Sequence, residues 1–529
     1  MDNLAKEKVL LLGASGSMGF AAFQELWSRK NDQGERKYDI VLLLRPSQKN
    51  KDIFLPYEKE CGIKPIEGRG VCEDGAQSVK IVWGDATIYE DVVEAVHGVD
   101  WILCPMAFIS PEADRQPEQA KAVNTTAIEY VVKAIEEEPN GAGHIRFLYT
   151  GTVAATGDRL PPIHHGRVGD PLKPSIFDFY ATTKIRGEWA VCESNIKHWA
   201  SLRQTFIMIP DVMSLKDPIM FHQPINSYME NNTMRDAGRG LVNCLDIPDD
   251  STFWRRVYNQ GGGPSCRIIF LDFMNIAYKL LGVDYRKVME RKWFGLRNFH
   301  MQFYDDSGEL NEYIHNWRDT METYTEMMKK ALPTSLKIVA KLCKALPPFR
   351  KLVEKMTYKQ LKALAERPDG TLGWYNGRND RRISAFYGSY EKFESIPDWD
   401  VDMPEMRHDA PFVKLNHGYD ETKEELDLDD LKGVAEFRGG ECTSASWSGD
   451  MYENVDWKCA FGHEFTAKPY TILKAGHWCP QCLAPPWNYD EIAKVNPFFA
   501  QIWYPNHDKD ESNFYPEDCY KDIEGLKDA

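Results

Sequence analysis

The sequence predicts a mixed α/β fold whose N-terminal part is a doubly wound parallel sheet. Two observations lead to this fold class. Short aliphatic runs alternate with longer amphipathic runs from residue 8 to about residue 160, and the two kinds of run have the spacings of buried strands and of helices. Strands that alternate with helices are joined by right-handed crossovers, so the strands lie parallel and helices cover both faces of the sheet.

Five aliphatic runs are the predicted strands of this sheet. They cover residues 9–12, 40–44, 79–82, 101–104 and 145–149. The clearest helices between them are predicted at residues 18–30 and 89–96, where apolar residues recur at helical intervals. The alternation weakens after residue 210, which predicts a smaller α/β lobe on the same sheet.

The length of the chain predicts several domains. A chain of 529 residues exceeds the size at which a single core keeps growing. We predict the parallel-sheet domain at residues 1–210, the smaller lobe at 211–330, a basic helical segment with a connector at 331–420, and a C-terminal domain at 421–529.

Composition and charge exclude some classes of protein. The 43% of hydrophobic and 27% of charged residues are typical of a globular chain. No stretch of 18 residues lacks polar breaks, and residues 1–8 lack the apolar run of a signal peptide. We therefore expect a soluble, cytoplasmic protein. Nucleic acid is a poor partner for it, because the net charge of −16 repels phosphates.

Residues 332–367 form a basic amphipathic segment. Eight basic residues between Lys337 and Lys362 interleave with leucine, isoleucine and valine, and Pro347 and Pro348 interrupt the helical pattern. An ordinary surface helix, with one face in solvent and the other packed on the core, explains this pattern. Such a segment can also make a peripheral contact with an anionic membrane or cover an apolar substrate.

A glycine-rich turn follows the first predicted strand and begins the helix after it. Glycines at these positions let the backbone turn tightly and approach a pyrophosphate, and the free N–H groups of a helix N-terminus favour anions. The turn therefore predicts a Rossmann dinucleotide-binding domain, in which the cofactor contacts Gly13, Ser15, Gly16, Ser17, Met18 and Gly19.

Two further positions bear on the dinucleotide. Arg45 stands at the end of the second strand, where an NAD-selective site carries an acid for the ribose 2′-hydroxyl, so it predicts a 2′-phosphate and hence NADP(H). A plain surface position is the alternative for Arg45. Asp85 and Ala86 follow the third strand, where a carboxylate can accept a hydrogen bond from the adenine amino group, although aspartate is also common in turns.

Tyr180 and Lys184 are the predicted catalytic pair. Residues four apart lie on one face of a helix, so the ammonium can favour the phenolate of a tyrosine whose ordinary pKa is about 10. The same ammonium can hold the nicotinamide ribose. The same spacing is frequent on ordinary helix surfaces. It indicates a catalytic pair here because it follows the glycine turn in the sequence.

In the order of these motifs the chain resembles the extended branch of the short-chain dehydrogenase/reductase family, which is epimerase/dehydratase-like, over about residues 8–320. Asn124, Gly157 and residues 148–152 also stand in the family's order. The resemblance implies that Thr152 carries the hydroxyl that hydrogen-bonds the substrate oxygen. Thr150 is the competing candidate, because the serine-rich stretch usual in the family is replaced here.

The implied activity is hydride transfer between NADP(H) and a carbonyl or alcohol substrate. Residues 206–210 depart from the glycine–proline turn of sugar-nucleotide members, which disfavours a nucleotide-sugar substrate. Large apolar residues of the lobe fit a core and leave room for an apolar substrate; they are Trp254, Phe270, Phe273, Trp293, Phe294, Phe299 and Phe303.

Other functions remain compatible with the same residues. One is an epimerase or dehydratase that regenerates its bound dinucleotide, and net consumption of NADPH would separate it from a reductase. The other is a non-catalytic scaffold that senses the dinucleotide, which needs no proton relay. The sequence leaves the oligomeric state open, and a homodimer is one option.

The last fifth of the chain holds five of the twelve cysteines. Two knuckles of thiolate and imidazole groups there supply four tetrahedral zinc ligands, namely Cys459, His463, Cys479 and Cys482. Cys442 and His477 are substitute candidates. A thiol redox pair at Cys479 and Cys482 is the alternative chemistry.

The module around these ligands resembles a zinc ribbon, or treble clef, over about residues 430–485. All four ligands come from the protein and leave no position for water, so the implied Zn²⁺ is structural. The acidic residues around the module favour a scaffold or a protein contact over nucleic acid.

Overall fold

The computed structural model of the protein describes residues 6–76, 78–211, 216–401 and 411–523. Its strands are β1 (Lys8–Leu12), β2 (Asp39–Leu44), β3 (Gly70–Glu73), β4 (Val79–Trp83), β5 (Trp101–Cys104), β6 (Arg146–Thr152), β7 (His165–Gly166), β8 (His198–Gln204), β9 (Phe206–Met208), β10 (Tyr228–Thr233), β11 (Arg256–Gln260), β12 (Arg267–Ile269), β13 (Phe303–Tyr304), β14 (Glu441–Cys442), β15 (Val455–Lys458) and β16 (Glu464–Ala467).

The α-helices are α1 (Ser17–Ser28), α2 (Gln48–Cys61), α3 (Tyr89–Val96), α4 (Glu112–Arg115), α5 (Pro117–Lys121), α6 (Ala127–Glu137), α7 (Gly141–His144), α8 (Phe179–Cys192), α9 (Met234–Asn243), α10 (Phe270–Leu280), α11 (Ser307–Ile314), α12 (Met321–Ala331), α13 (Thr334–Ala345), α14 (Pro347–Ala365), α15 (Thr371–Asn376), α16 (Asp380–Tyr387), α17 (Tyr390–Glu394), α18 (Leu428–Phe437), α19 (Tyr489–Val495) and α20 (Pro497–Trp503). Two π-helical turns occur at Ala122–Thr126 and Tyr470–Lys474.

The main sheet has eight strands in the order β11–β8–β6–β5–β1–β2–β4–β3. Its neighbours pair in parallel, except that β3 runs antiparallel to β4 at one edge. The chain winds outward from β1 in both directions, which is the doubly wound Rossmann arrangement. The predicted fold class is therefore confirmed, and all five predicted strands are present. The edge strand β3 went unpredicted because its residues alternate between half-buried and exposed.

The two faces of the sheet hold separate apolar cores. Val9 and Leu11 of β1 belong to the core beneath α1, α2, α9 and α11. Leu10 and Leu12 belong to the opposite core, beneath α3, α6 and α8. Because helices cover both faces, each strand reads as a continuous apolar run in the sequence.

The lobe contains two small sheets, with the orders β12–β10–β9 and β13–β7. The two parts of the structure do not divide cleanly at residue 210, because β7 and β9 lie before it and pair with strands of the lobe. Strand β11 pairs with β8 in the main sheet, and α9 packs against α1, although both lie within the range predicted for the lobe. The last crossover of the main sheet therefore runs through the lobe.

A third apolar core joins the lobe, the helices α12 to α17 and the final helices α19 and α20. The basic segment contributes Cys343, Leu361 and Ala365 to this core. Helix α14 begins with Pro347 and Pro348, which confirms the predicted break, because proline suits the first turn of a helix, where no N–H partner is needed. No helix within the described residues is both long and apolar enough to cross a membrane.

Candidate active site and metal centre

The glycine turn between β1 and α1 is built so that only glycine fits at two of its positions. Gly13 has a φ of +85°, and a Cβ there would lie 2.7 Å from the Cα of Met106. A Cβ on Gly19 would collide with the carbonyl oxygen of Gly13. The turn therefore brings the backbone at Gly13 close to the segment after β5, and it packs the start of α1 against the turn itself.

The N-terminus of α1 is open to an anion. Its first turn contains no acidic residue, and the capping residue Gly16 provides no side-chain hydrogen bond. Gly16 and Ser17 are exposed, and Ser15 is half-buried. The predicted contact residues, including the buried Met18, thus lie together at the carboxyl edge of the sheet, where the helix N–H groups can bind a pyrophosphate.

Arg45 follows β2 directly and is exposed. Its guanidinium has no hydrogen bond or ion pair with another described residue, so it is free to bind a phosphate. Asp85 follows β4, and its Oδ1 atom accepts hydrogen bonds from the N–H and the hydroxyl of Thr87 at 2.9 and 2.8 Å. One oxygen of Asp85 is thus used in a local turn beside the buried Ala86.

Tyr180 and Lys184 lie in the first turns of α8. Asp178 caps this helix, because its Oδ1 atom accepts a hydrogen bond from the Ala181 N–H at 2.7 Å. The predicted spacing therefore places the phenol and the ammonium on one helix face. Burial raises the pKa of Tyr180 to about 12; a hydrogen bond from Thr152 opposes this rise, and the charge of Asp178 adds to it.

The Lys184 ammonium is buried without a hydrogen-bond partner among the described residues. Its Nζ atom lies 4.2 Å from the ring centroid of Tyr149, whose hydroxyl donates to the Lys184 carbonyl oxygen at 3.0 Å. Burial lowers the pKa of Lys184 to about 8. A cation held in this way has its hydrogen-bonding capacity unused.

The structure separates the two threonine candidates. Thr152 ends β6, interacts with the Tyr180 phenol and accepts a hydrogen bond from the Ala154 N–H at 3.2 Å. The Thr150 hydroxyl is buried and has no partner among the described residues. Of the two hydroxyls, that of Thr152 is the one that interacts with Tyr180, so Thr152 stays the predicted residue.

Asn124 supports the face of α8 that carries the pair. It lies in the π-helical turn before α6, and its amide donates to the Thr183 hydroxyl at 3.0 Å and to the Phe108 carbonyl oxygen at 2.9 Å. Its Oδ1 atom accepts from the Phe108 N–H at 2.8 Å. Asn124 thus joins the segment after β5 to the catalytic helix.

A cleft with about 560 Å³ of empty space lies beside the N-terminal end of α8. Its walls come from the segment after β5, the residues before α8, the lobe and the helical segment. The polar lining residues are Ser110, Asp114, Arg115, Ser175, Asp178, Asp217, His222, Asn298, His300, Asp369 and Arg382, and apolar ones include Ile176, Phe177, Ile219, Phe299 and Phe386. Of the seven aromatic residues predicted as core or pocket, Phe299 lines this cleft and the other six are buried in the cores.

Two carboxyl groups meet at the α8 end of the cleft. The Asp114 Oδ1 atom accepts a hydrogen bond from the Phe179 N–H at 3.0 Å. Burial and the neighbouring charge of Asp178 raise the pKa of Asp114 to about 8. His300 lies on the other side, with its Nδ1 atom 3.3 Å from Asp178. Only Asp178 had a sequence signal, its position before a helix, because the others come from distant parts of the chain.

Both guanidinium groups that line the cleft are already paired. Arg115 contacts Asp217 at 2.8 Å and Asp369 at 2.6 Å. Arg382 contacts Asp522 at 2.9 Å. The cleft therefore offers no uncommitted arginine or lysine among its described lining residues, and it carries an excess of carboxylates.

The predicted metal ligands converge at the C-terminal module, where β14, β15 and β16 form an antiparallel sheet. The Nδ1 atom of His463 lies 3.4 Å from the Cys459 and Cys479 sulfurs and 3.5 Å from the Cys482 sulfur. The Cys459 and Cys482 sulfurs are 3.9 Å apart. A tetrahedral zinc ion with bonds of about 2.0–2.3 Å would separate its ligand atoms by about 3.5–3.8 Å, so the four groups fit this ion.

The substitute candidates lie elsewhere. Cys442 stands on β14 opposite Trp457 and is not part of the four-residue group. The Nε2 atom of His477 contacts the Glu188 carboxylate at 2.9 Å. Neither residue is needed to complete the metal site.

The C-terminal module is joined to α8 through Glu188, one turn after Lys184. This buried carboxylate accepts hydrogen bonds from Arg203 at 2.6 Å and from Ser201 at 2.7 Å, and it contacts His477 at 2.9 Å. Burial alone would raise the pKa of Glu188. The neighbouring Arg203 and His477 instead hold this pKa well below its usual range. The sequence offered no signal for this junction.

Comparisons with known proteins find no matching family model and no matching curated protein. Among solved structures, a double mutant of the dTDP-glucose 4,6-dehydratase of Streptomyces venezuelae, with NAD bound, is 14% identical and covers 61% of this chain and 97% of that one, with a TM-score of 0.46. The UDP-Glc/GlcNAc 4-epimerase of Campylobacter jejuni is 13% identical, covers 68% and 99%, and has a TM-score of 0.42. A monomeric L-threonine 3-dehydrogenase from a metagenome is 15% identical, covers 63% and 99%, and also scores 0.42.

Proposed function

We propose that the protein is an NADP(H)-dependent oxidoreductase that transfers hydride to or from a carbonyl or alcohol group. The observation that carries the proposal is the buried ammonium of Lys184, which has no hydrogen-bond partner in the part of the chain that the structure describes and lies one helical turn from Tyr180. A buried charge without a partner is costly. A ligand that supplies the partner explains this arrangement best, and the ribose hydroxyls of a dinucleotide at the glycine turn are suited to it.

When bound, the nicotinamide supplies or accepts the hydride. The Tyr180 phenol, whose pKa is raised to about 12, is protonated at neutral pH and can give its proton to a carbonyl oxygen. The carbonyl carbon gains the hydride while its oxygen gains this proton, so an alcohol forms. The Thr152 hydroxyl, which interacts with the phenol, can hydrogen-bond the same oxygen.

The cofactor preference in this proposal comes from Arg45. The free guanidinium after β2 suits the 2′-phosphate of NADP(H), and no acidic residue takes its place there. Asp85 has one oxygen left for the adenine amino group, because Thr87 uses the other.

We propose that the body of the substrate lies in the cleft, whose lining reaches Asp178, two residues before Tyr180. Phosphate groups are bound by free arginine and lysine side chains. The two arginines that line the cleft are instead paired with Asp217, Asp369 and Asp522. The buried hydroxyl of Ser175 has no partner among the described residues and can donate or accept a hydrogen bond, and the apolar walls favour a hydrocarbon body. We infer a carbonyl compound with an apolar body and a hydroxyl or amino group, without phosphate.

For the C-terminal module we propose a structural zinc ion held by Cys459, His463, Cys479 and Cys482. When bound, the ion would fix the two knuckles relative to each other and leave no position for water. The tetrahedral spacing of the four ligand atoms supports this role.

The proposal is tested by turnover of NADPH with matched substrates. Hydroxylated and aminated cyclic ketones are compared with unsubstituted ketones and with nucleotide sugars, in the wild-type protein and in Tyr180→Phe. We expect oxidation of NADPH with the substituted ketones and a loss of at least about 100-fold in Tyr180→Phe, since the general acid is removed.

Two outcomes would contradict this function. If the Tyr180→Phe variant turned over the same ketones at the wild-type rate, Tyr180 would not be the proton donor. If the protein interconverted a substrate without net consumption of NADPH, the activity would be that of an epimerase or dehydratase.

A further inference from the structure

The hairpin formed by α13 and α14 has an apolar outer face that nothing in the described structure covers. Its inner face already packs on the third core through residues such as Cys343 and Leu361. On the outer face, Ile338 is 54% exposed, Leu352 is 54% exposed and Met356 is 56% exposed. Leu342 and Leu346 are exposed as well. The hairpin therefore exposes apolar side chains on its outer face although its inner face already packs on a core.

Basic residues surround these exposed apolar side chains. From residue 332 to residue 365 the chain has eight basic residues and one acidic residue, Glu354, in a protein whose net charge is −16. Glu354 is buried and accepts a hydrogen bond from the Asp284 N–H at 3.2 Å. The outer face is therefore strongly positive, in contrast to the chain as a whole.

The positive groups are largely uncommitted. Lys362 contacts Glu366 at 3.7 Å, and Lys337 donates to the Lys330 carbonyl oxygen at 3.0 Å. The other lysines of the hairpin have no ion pair with a described residue; they are Lys341, Lys344, Lys351, Lys355 and Lys359. They remain available to anionic groups outside the molecule.

We propose that the outer face of the α13–α14 hairpin docks the protein on an anionic lipid surface. Ile338 and Leu342 lie on adjacent turns of α13, and Leu352 and Met356 lie on adjacent turns of α14, so each helix presents an apolar stripe with lysines beside it. Apolar side chains enter the boundary between headgroups and acyl chains while lysines contact anionic headgroups. A nucleic acid would use the lysines but would leave the apolar stripes in water.

The test is co-sedimentation of the full-length protein with vesicles. Phosphatidylcholine vesicles are compared with vesicles that contain phosphatidylserine, at low and at high salt. We expect binding to the phosphatidylserine vesicles only, weakened by salt because exposed charges are screened. A triple variant, Ile338→Ser with Leu352→Ser and Met356→Ser, should bind at least tenfold more weakly, although its fold is kept because these positions are exposed.

Matched controls separate this face from exposed apolar residues in general. Val71→Ser with Phe514→Ser removes apolar side chains that are 44% and 56% exposed elsewhere, and it should bind vesicles like the wild type. Replacing Lys341, Lys351 and Lys355 with glutamine should reduce the dependence on phosphatidylserine.

Three outcomes would overturn the proposal. The first is no binding to phosphatidylserine vesicles at low salt, and the second is binding that the triple variant retains. The third is a dimer in sedimentation velocity that the triple variant converts to a monomer, without vesicle binding, which would make the face a contact between two copies of the chain. Thermal unfolding of each variant, measured in parallel, verifies that the fold is kept.

Discussion

The side chain of Lys184 is costly to the fold and useful to the proposed chemistry. Its ammonium is buried beside the Tyr149 ring, and its pKa is lowered to about 8 from an ordinary value of 10.5. The folded protein thus binds this proton less tightly than the unfolded chain does. Below the folded-state pKa the charged lysine destabilises the fold, and this penalty decreases as pH rises from about 8 to 10.5.

Replacement of this lysine is therefore predicted to raise stability while it lowers activity. Lys184→Met should increase the free energy of unfolding at pH 7 by roughly 3 kcal/mol in the absence of dinucleotide, from the size of the pKa shift. The gain should disappear near pH 10.5. Denaturant unfolding at pH 7 and pH 10.5 measures both values, and a destabilised variant at pH 7 would show that the ammonium has a partner in the fold.

Arg45 is predicted to set the preference between the two dinucleotides. Arg45→Ala should weaken the binding of NADPH by at least about tenfold, because a charge-assisted hydrogen bond to a phosphate is lost. The binding of NADH should stay within about twofold. Calorimetric titration of both proteins with both dinucleotides tests this, and Lys49→Ala, close to Arg45 in the chain, is the matched control. An equal loss for NADPH and NADH would contradict the role of Arg45.

At the scale of elements, α8 joins the catalytic pair to the metal-binding module. Glu188 of α8 is held by Arg203 of β8, and Arg203 also donates to the Ala475 carbonyl oxygen at 2.7 Å. The Tyr470 hydroxyl accepts a hydrogen bond from the Val257 N–H of β11 at 2.8 Å. The module is thus packed directly on the main sheet.

Removal of the proposed zinc ion is predicted to weaken the whole Rossmann domain. A strong chelator, or Cys482→Ser, should lower the unfolding temperature by several degrees, because the free energy of metal binding contributes to folding. Affinity for NADPH should fall with it, since the module contacts α8 through His477 and Glu188. The control is Cys442→Ser, which changes a buried cysteine outside the ligand group.

Thermal unfolding and calorimetric titration, with metal content measured on the same samples, provide the readouts. Unfolding and NADPH binding that stay unchanged after the metal has been removed would contradict the coupling.

The main sheet and the placement of Tyr180 and Lys184 on one helix were predictable because their signals are local. Strands buried on both faces are continuous apolar runs, as in residues 9–12, and the glycine turn and Tyr180 with Lys184 lie within short segments. The contact of His477 with Glu188 joins residues 289 positions apart. Nothing in the sequence near either residue indicates the other, so the docking of the module on α8 could not be predicted.

The cleft belongs to the scale of the whole molecule. Asp114, Asp217 and Asp369 come from three separate regions of the chain and meet around Arg115 and the end of α8. Composition predicted large apolar side chains in the lobe, and most of them serve the cores. The polar character of the cleft depends on tertiary contacts, which is why the sequence indicated an apolar substrate without the hydrogen-bonding groups.

Charge is also distributed unevenly over the molecule. The chain carries a net charge of −16, whereas the α13–α14 hairpin is basic and exposes apolar side chains. The negative remainder would be repelled by anionic lipid, so contact through the hairpin would orient the protein on such a surface. The net charge of the whole chain does not reveal this uneven distribution of charge.

The most direct test of the proposed chemistry is isotope transfer from the cofactor. NADPH carrying deuterium at C4 of the nicotinamide, on the transferred side, is incubated with the protein and a hydroxylated cyclic ketone, and the product is analysed by mass spectrometry. We expect one deuterium on the new carbinol carbon, and at least about 100-fold slower labelling with Tyr180→Phe. Tight binding of NADPH without deuterium transfer to any carbonyl compound of the matched set would contradict it.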